Sequence, residues 1–135
     1  MELLQWNEKY SVGIQSIDAQ HQKWIRILNT LHAALREGRS RDVIAALLDE
    51  MVRYTQTHLN SEEKLMQQTN YPQYAEHKKI HDDLTKKVVE FQNDFQNGKS
   101  SLGIEMMNYL KTWLNDHIMG TDKLYGPHLK QKGVK

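Results

Sequence analysis

Five of the seven histidines lie at core-facing positions, where a helical hydrophobic pattern calls for an apolar side chain. Two pairs share a spacing of four, since His58 precedes Glu62 and His77 precedes His81. Residues four apart lie on one face of an α-helix, about 6 Å apart along its axis. Burying an imidazole without a partner costs about 1–3 kcal/mol, and an unpaired carboxylate costs more. The pattern therefore predicts buried partners, and transition-metal ions suit this ligand chemistry.

Two further histidines, His21 and His117, each occupy a core-facing position on a different predicted helix. One such histidine is most often a core residue that has found a hydrogen bond, and a pair four apart can be a coincidence or a surface pair. In an antiparallel bundle, however, the starts of the first and third helices lie beside the ends of the second and fourth. The two pairs and the two single histidines then meet at one end, which favours a metal site.

Asp122 follows His117 by five residues, so a regular helix would rotate its side chain about 140° away from that histidine. Gly120 can open the helix into a wider turn or end it, which would return the carboxylate to the same side. The alternative is an exposed aspartate that caps a tail helix. Beside ligands from four helices, we interpret Asp122 as the second carboxylate of the metal site.

The elements that must position these residues are helical. Only two prolines and seven glycines occur in 135 residues, which favours an all-α chain. Hydrophobic period and helix-end signals predict an up-down-up-down antiparallel four-helix bundle with an extended N-terminal arm and a short C-terminal helical tail. We predict a single domain over residues 1–135, with the arm at 1–17, helices at about 18–37, 41–68, 72–97 and 101–119, and the tail at 121–135.

Four local signals set these bounds. Asp18 is the predicted N-cap of the first helix, and Gly38 ends that helix as the residue after its C-cap. Pro72 is expected to open the third helix, because proline is favoured in a first turn. Gly126-Pro127 is expected to break the helical tail.

Composition excludes several classes of protein. Lys and Arg number 18 against 17 Asp and Glu, so no basic face for nucleic acid is expected. Cysteine is absent, which excludes a disulfide framework, a thiolate site and a cysteine nucleophile. No run of about 18 apolar residues predicts a membrane span. The first residues lack a signal-peptide core, so we expect a cytoplasmic protein, and we expect a monomer.

The whole ligand pattern resembles that of the hemerythrin family. It reads His21, then His58-x3-Glu62, His77-x3-His81 and His117-x4-Asp122. The arm, Trp6-x3-Tyr10-x-Val12-Gly13-Ile14-x3-Asp18-x2-His21, resembles the bacterial branch of that family. The likeness covers about residues 6–125. The chemistry of these side chains does not distinguish iron from zinc, manganese or cobalt as the bound metal. The resemblance implies iron.

The resemblance also implies how the ligands divide between two iron ions that share an oxo or hydroxo bridge. One ion is expected to be held by His77, His81 and His117. The other is expected to be held by His21 and His58, which leaves it one open position. Glu62 and Asp122 are expected to bridge the two ions.

Dioxygen is the ligand that this resemblance implies, bound reversibly for storage, delivery or buffering, with an oxygen-consuming enzyme as a recipient. Ferritin-like di-iron proteins usually offer four carboxylates and two histidines, whereas five neutral imidazoles with two carboxylates favour a carrier that is not an enzyme. Two alternatives stay open. One is an enzyme at the same centre, for peroxide or nitric-oxide scavenging or iron oxidation, and the other is an oxygen or redox sensor module.

Apolar side chains near the ligands are expected to keep the dioxygen pocket dry, since water would promote loss of the bound ligand. Each of them is also compatible with plain core packing. His32 is not expected to be a ligand, because it lies eleven residues, or about 16 Å, beyond His21 on the same helix. His128 is expected to be exposed in the tail. The predicted pocket residues are Trp24, Leu59, Trp113, Leu114 and Ile118.

Overall fold

A computed structural model describes residues 4–98 and 102–134, and all regular structure within them is helical. Among these residues, no helix combines the length and the apolarity that a bilayer crossing needs. The elements are a short 3-10 turn at Glu8–Tyr10, α1 at Gln15–Arg36, α2 at Arg41–Gln68, α3 at Tyr74–Gln96, α4 at Leu102–Asp116, a π-helical turn at His117–Asp122, and α5 at Lys123–Gln131.

The four long helices form a closed ring in which α1 contacts α2 and α4, and α3 contacts α2 and α4. Side chains from the start of α1, the end of α2, the start of α3 and the turn after α4 meet at one end of this ring. Consecutive helices must therefore run in opposite directions. The predicted all-α antiparallel bundle is confirmed.

The connection between α1 and α2 shows why the helices end where they do. Gly38 adopts a positive φ of 66°, a conformation that glycine takes at little cost, and its N–H donates to the Leu35 carbonyl. The Arg39 N–H donates to the Ala34 carbonyl, which completes the Schellman motif that ends many helices. Ser40 then caps α2, because its side chain accepts from the Val43 N–H.

Asp18 has a different role from the predicted one. Helix α1 begins at Gln15, and its N-cap, Ile14, makes no side-chain cap hydrogen bond. The Asp18 carboxylate instead accepts from the Ser11 hydroxyl at 2.6 Å and from the Val12 N–H at 2.8 Å. The prediction of Asp18 as an N-cap was wrong, since this side chain ties the arm to the first turns of α1.

Three other predicted boundaries differ from the structure, and the first is the end of the fourth helix, which lies at Asp116 and not at about 119. Helix α3 begins at Tyr74, because Pro72 and Gln73 belong to the turn that follows Asn70 at a φ of 55°. Helix α5 continues through Gly126-Pro127, where a break was expected. Burial explains the continuation, since the side chains on either side of this pair, Tyr125 and Leu129, are fully buried.

Gly126 lies against the arm so closely that we expect it to tolerate no larger residue. A Cβ atom at this position would lie 2.1 Å from the Val12 carbonyl oxygen, so α5 or the arm would have to move. We expect Gly126→Ala to lower the free energy of unfolding by about 1–3 kcal/mol, the usual cost of overpacking. Urea unfolding of the metal-loaded protein measures this change.

Gly120→Ala is the matched control, because no atom lies within 4 Å of a Cβ built there. We expect it to leave the free energy of unfolding unchanged or to raise it by up to about 1 kcal/mol, the usual gain when alanine replaces glycine in a helix. Equal effects of the two substitutions would show that the contact between α5 and the arm contributes nothing.

Candidate metal centre

The seven side chains singled out in the sequence come together at one end of the bundle, and each is at most 4% exposed. Every long helix or the turn after it contributes at least one of them. Helix α1 supplies His21, α2 supplies His58 and Glu62, α3 supplies His77 and His81, and the π-helical turn supplies His117 and Asp122.

The π-helical turn brings Asp122 to the site. Its wider winding pairs residues five apart, so Asp122 comes back over His117. The Asp122 Oδ1 atom lies 2.8 Å from the His117 Nε2 atom. Gly120 is not among the glycines with a positive φ, and the space around it is open. The widening therefore does not depend on the special conformational freedom of glycine.

Glu62 faces two groups of histidines with its two oxygens. Its Oε1 atom lies 3.0 Å from the His21 Nε2 atom and 2.8 Å from the His58 Nε2 atom. Its Oε2 atom lies 3.3 Å from the His81 Nε2 atom and 3.8 Å from the His77 Nε2 atom. One carboxylate thus addresses both groups at once.

Asp122 does the same from the opposite wall. Its Oδ1 atom lies 3.0 Å from the His77 Nε2 atom and faces His117, while its Oδ2 atom lies 3.2 Å from the His21 Nε2 atom. We call His77, His81 and His117, with Glu62 Oε2 and Asp122 Oδ1, the three-histidine set. We call His21 and His58, with Glu62 Oε1 and Asp122 Oδ2, the two-histidine set.

Several of the donor atoms face one another without hydrogen-bond geometry. Five of these atoms are buried and make no hydrogen bond to any residue that the structure describes, namely His58 Nε2, Glu62 Oε2, His77 Nε2 and both Asp122 carboxylate oxygens. Potential ligand atoms from five residues lie within 4.8 Å of one another in one group, and those of His21, His58 and Glu62 do so in a second. Lone pairs that converge in this way fit metal binding, for which imidazole nitrogen and carboxylate oxygen are suitable donors.

Protonated histidines compensate the buried carboxylates when metal is absent. Burial raises the pKa of Glu62, but the charge of His58 and the close approach of the His21, His58 and His81 Nε2 atoms bring it well below its usual value. Burial and the charge of Glu62 raise the pKa of Asp122. The charge of His117 and the contacts with His117 and His21 lower this pKa by a larger amount, so it lies below its usual value. The two carboxylates are therefore ionised, and the centre demands positive charge.

The hemerythrin HHE cation binding domain matches residues 12–129 of this sequence. The chain belongs to the hemerythrin family. It is 38% identical to bacteriohemerythrin of Stenotrophomonas maltophilia over 96% of this chain and 84% of that protein. It is 32% identical to bacteriohemerythrin of Methylococcus capsulatus over 96% of this chain and 98% of that protein.

Solved hemerythrin structures share the fold. A wild-type hemerythrin superposes with a TM-score of 0.89 at 32% identity, over 94% of this chain and 98% of the other. A leucine-to-tyrosine variant of hemerythrin gives a TM-score of 0.90 at 32% identity, over 96% and 98%. The family resemblance seen in the sequence is confirmed.

Three further residues contact this hemerythrin centre, and the sequence analysis missed all of them. The Tyr125 hydroxyl donates to Glu62 Oε1 at 2.8 Å, and its ring stacks on the His77 ring. Gln20 and Glu63 approach the outer ring nitrogens of two other histidines. Gln20 precedes His21 and Glu63 follows Glu62 in the chain, and this adjacency was the one available signal.

The five predicted pocket residues belong to the hydrophobic cluster beside the histidines or pack against it. The Trp24 ring centroid lies 4.9 Å from that of His58, and the Trp24 Nε1–H donates to the Thr55 hydroxyl. The half-buried Trp113 stacks on His117 with ring centroids 4.2 Å apart. Their role as walls of a dioxygen pocket stays a prediction. Buried with Trp24 in this cluster are Leu59, Leu114 and Ile118.

The other two histidines lie outside both donor sets. His32 is half-buried on α1, where burial and then the charge of Arg36 lower its pKa. His128 was expected to be exposed, and this prediction was wrong. Its ring is half-buried beside Tyr71, and its Nε2 atom lies 2.8 Å from the Thr69 carbonyl oxygen. His128 thus attaches α5 to the end of α2.

Metal loading is expected to release protons from this centre. Burial opposes the charged form of His21, but the Asp122 and Glu62 carboxylates, which lie close to its Nε2 atom, raise its pKa to about 10 through contact and charge. His21 therefore carries a proton at pH 7 in the metal-free protein, whereas a metal ligand must be the neutral imidazole. We expect at least one proton released per chain and a metal affinity that rises with pH up to about 10. Zinc titration in buffers of different ionisation enthalpy measures the released protons, and zinc binding without proton release would contradict this account.

Proposed function

We propose that this hemerythrin binds dioxygen reversibly at a non-haem di-iron centre. The observation that carries the proposal is the position of the two buried carboxylates. Glu62 and Asp122 each direct one oxygen to the three-histidine set and the other to the two-histidine set. Two carboxylates that address the same two sets of nitrogens suit a pair of metal ions. The family match supports non-haem iron as the metal.

In this proposal, His77, His81 and His117 would hold one ion, His21 and His58 would hold the other, and Glu62 and Asp122 would each offer one oxygen to each ion. An oxo or hydroxo group from solvent would complete the bridge. When bound, the iron pair supplies the electrons that reversible dioxygen binding draws on.

The two-histidine set is the proposed side of dioxygen entry. It offers two imidazoles, His21 and His58, so its ion keeps room for an exogenous ligand. Trp24 borders this set, with its ring against that of His58. Together with the buried Leu59 and Ile118, it would keep water away from the ligand and so slow oxidative loss.

A carrier function fits the donor set better than an enzymatic one. Each histidine is neutral when it binds a metal, so five imidazoles add no negative charge to the centre. Ferritin-like di-iron proteins typically use four carboxylates, and anionic oxygen ligands favour higher oxidation states of iron. Family membership supports the expectation of a non-enzymatic oxygen-binding protein. An oxygen-consuming enzyme would be the recipient.

Reversible colour change is the expected result of the decisive experiment. Elemental analysis should find about two irons per chain. The reduced protein should be colourless without oxygen and should gain a visible absorption band within the mixing time when dioxygen is added. Lowering the oxygen pressure should remove most of that band without added reductant.

Three outcomes would count against this proposal. One iron per chain, or zinc alone after growth in iron-rich medium, would exclude the di-iron centre. Failure to recover the colourless form on evacuation would exclude reversible binding. Continuous oxygen consumption over many turnovers, when reductant is supplied, would favour an enzyme at the same centre.

A further inference from the structure

The two donor sets differ in what lies behind their histidines. His58 and His81 both point Nε2 towards the centre, and both have an oxygen atom at the outer nitrogen, Nδ1. For His58 this oxygen is Gln20 Oε1, at 2.6 Å. For His81 it is Glu63 Oε2, at 3.1 Å. The acceptor at the outer nitrogen is thus a neutral amide in the two-histidine set and a carboxylate in the three-histidine set.

Both contacts require the same histidine tautomer. An oxygen acceptor at Nδ1 needs a proton on that nitrogen, which leaves the Nε2 lone pair free for a metal. The orientation of the Gln20 amide supports this assignment, because its Nε2 atom faces the Ser61 hydroxyl at 3.4 Å and its oxygen faces His58. The tautomers therefore agree, and charge is what distinguishes the two contacts.

Glu63 is held in place from both sides. One oxygen contacts His81, and the other lies 3.8 Å from the Lys78 ammonium. That ammonium lies closer to Asp82, with both carboxylate oxygens at 3.0 Å. Lys78 is therefore chiefly paired with Asp82, so it offsets the charge of Glu63 only partly. The Glu63 side chain is 14% exposed, which limits screening by water.

The outer nitrogens of two other histidines have no such partner. The Nδ1 atoms of His21 and His117 are buried and make no hydrogen bond within the described residues. Each set thus contains one histidine whose Nδ1 atom has an oxygen acceptor and one whose Nδ1 atom has none among the described residues. The two sets therefore differ in the charge of this acceptor, which is a carboxylate at His81 and a neutral amide at His58.

We propose, on the basis of the di-iron function above, that Glu63 is a positioning residue that makes the two ions unequal. A carboxylate that accepts the Nδ1–H of a metal-bound histidine increases the basicity of the coordinating nitrogen. The three-histidine set already offers one more imidazole, and with this carboxylate it binds its ion more tightly still and holds the ferric ion when one electron has been removed from the pair. Gln20, as a neutral acceptor, orients His58 without this effect.

Glu63→Gln tests the charge while it keeps an acceptor at His81. Reduced, iron-loaded protein is titrated anaerobically with a ferrous chelator, and we expect iron to leave in two steps. The variant should weaken the tighter step about 10-fold, the lower end of the effect of losing such a partner because an acceptor remains, and leave the looser step within about twofold. The potential of the first one-electron oxidation should rise. Mössbauer spectra of the mixed-valent form should show the ferric ion less confined to one set.

Asp83→Asn is the matched control, because it removes the same charge from an exposed position on α3. It should leave both release steps and the potential unchanged. Gln20→Glu is the converse variant, and it should tighten the looser step and narrow the gap between the two. This variant keeps the proposal testable if Glu63→Gln fails to fold.

Equal weakening of both steps by Glu63→Gln, the same effect from Asp83→Asn, or an unchanged gap in Gln20→Glu would each overturn the inference. The proposed function has a separate outcome. If the unmodified protein binds two irons and dioxygen reversibly while Glu63→Gln behaves like it, the inference fails and the carrier function stands. If the unmodified protein does not bind two irons and dioxygen reversibly, the carrier function is refuted, and the inference that rests on it is refuted with it.

Discussion

Asp122→Ala is expected to reduce the iron content from about two ions per chain to one or fewer and to abolish the reversible visible band. This carboxylate is fully buried and lies within 3.2 Å of nitrogens from His21, His77 and His117. Its loss removes a ligand from both sets and leaves three imidazoles facing one another. Because loss of an outer partner already costs about 10–100-fold in metal affinity, loss of a direct ligand should cost more. Elemental analysis and the absorption spectrum before and after oxygen exposure measure the two effects.

Asp116→Ala is the control for this substitution. Asp116 is exposed on the last turn of α4, next in the chain to His117, and its replacement removes the same charge. It should retain both irons and the band. An unchanged spectrum in Asp122→Ala would refute the bridging role of this carboxylate and the function assigned to the π-helical turn.

Removal of the metal is expected to lower the melting temperature by at least about 10 °C. The metal-free centre holds five imidazoles and two ionised carboxylates in the interior, with several donor atoms that lack hydrogen bonds. A ligand present at a thousand times its dissociation constant stabilises the folded state by about 4 kcal/mol. For a chain of this size, 1 kcal/mol corresponds to about 3 °C. Calorimetry of the loaded and metal-free protein measures the difference, and re-addition of metal should restore it.

The same melting temperature with and without metal would contradict this account. It would mean that protonated histidines compensate the negative charge of the two carboxylates as effectively as bound metal does. The raised pKa of His21, about 10, shows that protons can take part of this role, so the comparison should be made at pH 7 and repeated near pH 10. At the higher pH the metal-free protein loses that proton and should become less stable, because a group with a raised pKa contributes its stabilisation below that pKa.

The candidate ligands could be predicted from the sequence because they break the hydrophobic pattern of their own helices. His58 and Glu62 occupy places where α2 otherwise buries residues such as Leu48 and Met51. Polar residues at such positions must find partners, and the bundle topology determines which helix ends can supply them. The bundle and the meeting of all seven side chains followed from these two facts.

Contacts made across helices by residues beside the ligands could not be predicted. Gln20 and Glu63 have the polarity of ordinary surface residues, and only the packing angle of the helices brings them to the outer histidine nitrogens. Asp18 has the properties of an N-cap, yet the folded arm offers it two better donors. Tyr125 precedes Gly126-Pro127, which local rules treat as a helix end, whereas burial of α5 overrides those rules.

The π-helical turn determines how the chain beyond it is rotated. One residue more than an α-helical turn requires is accommodated between His117 and Asp122, so everything downstream is turned by about 100° relative to a continuous helix. Both Asp122 and the Tyr125 hydroxyl depend on this rotation to reach the centre. A deletion of one residue here would shift the phase of α5, whereas a substitution would keep it. Chain length in this segment, more than the identity of its intervening residues, is therefore what a working site has to preserve.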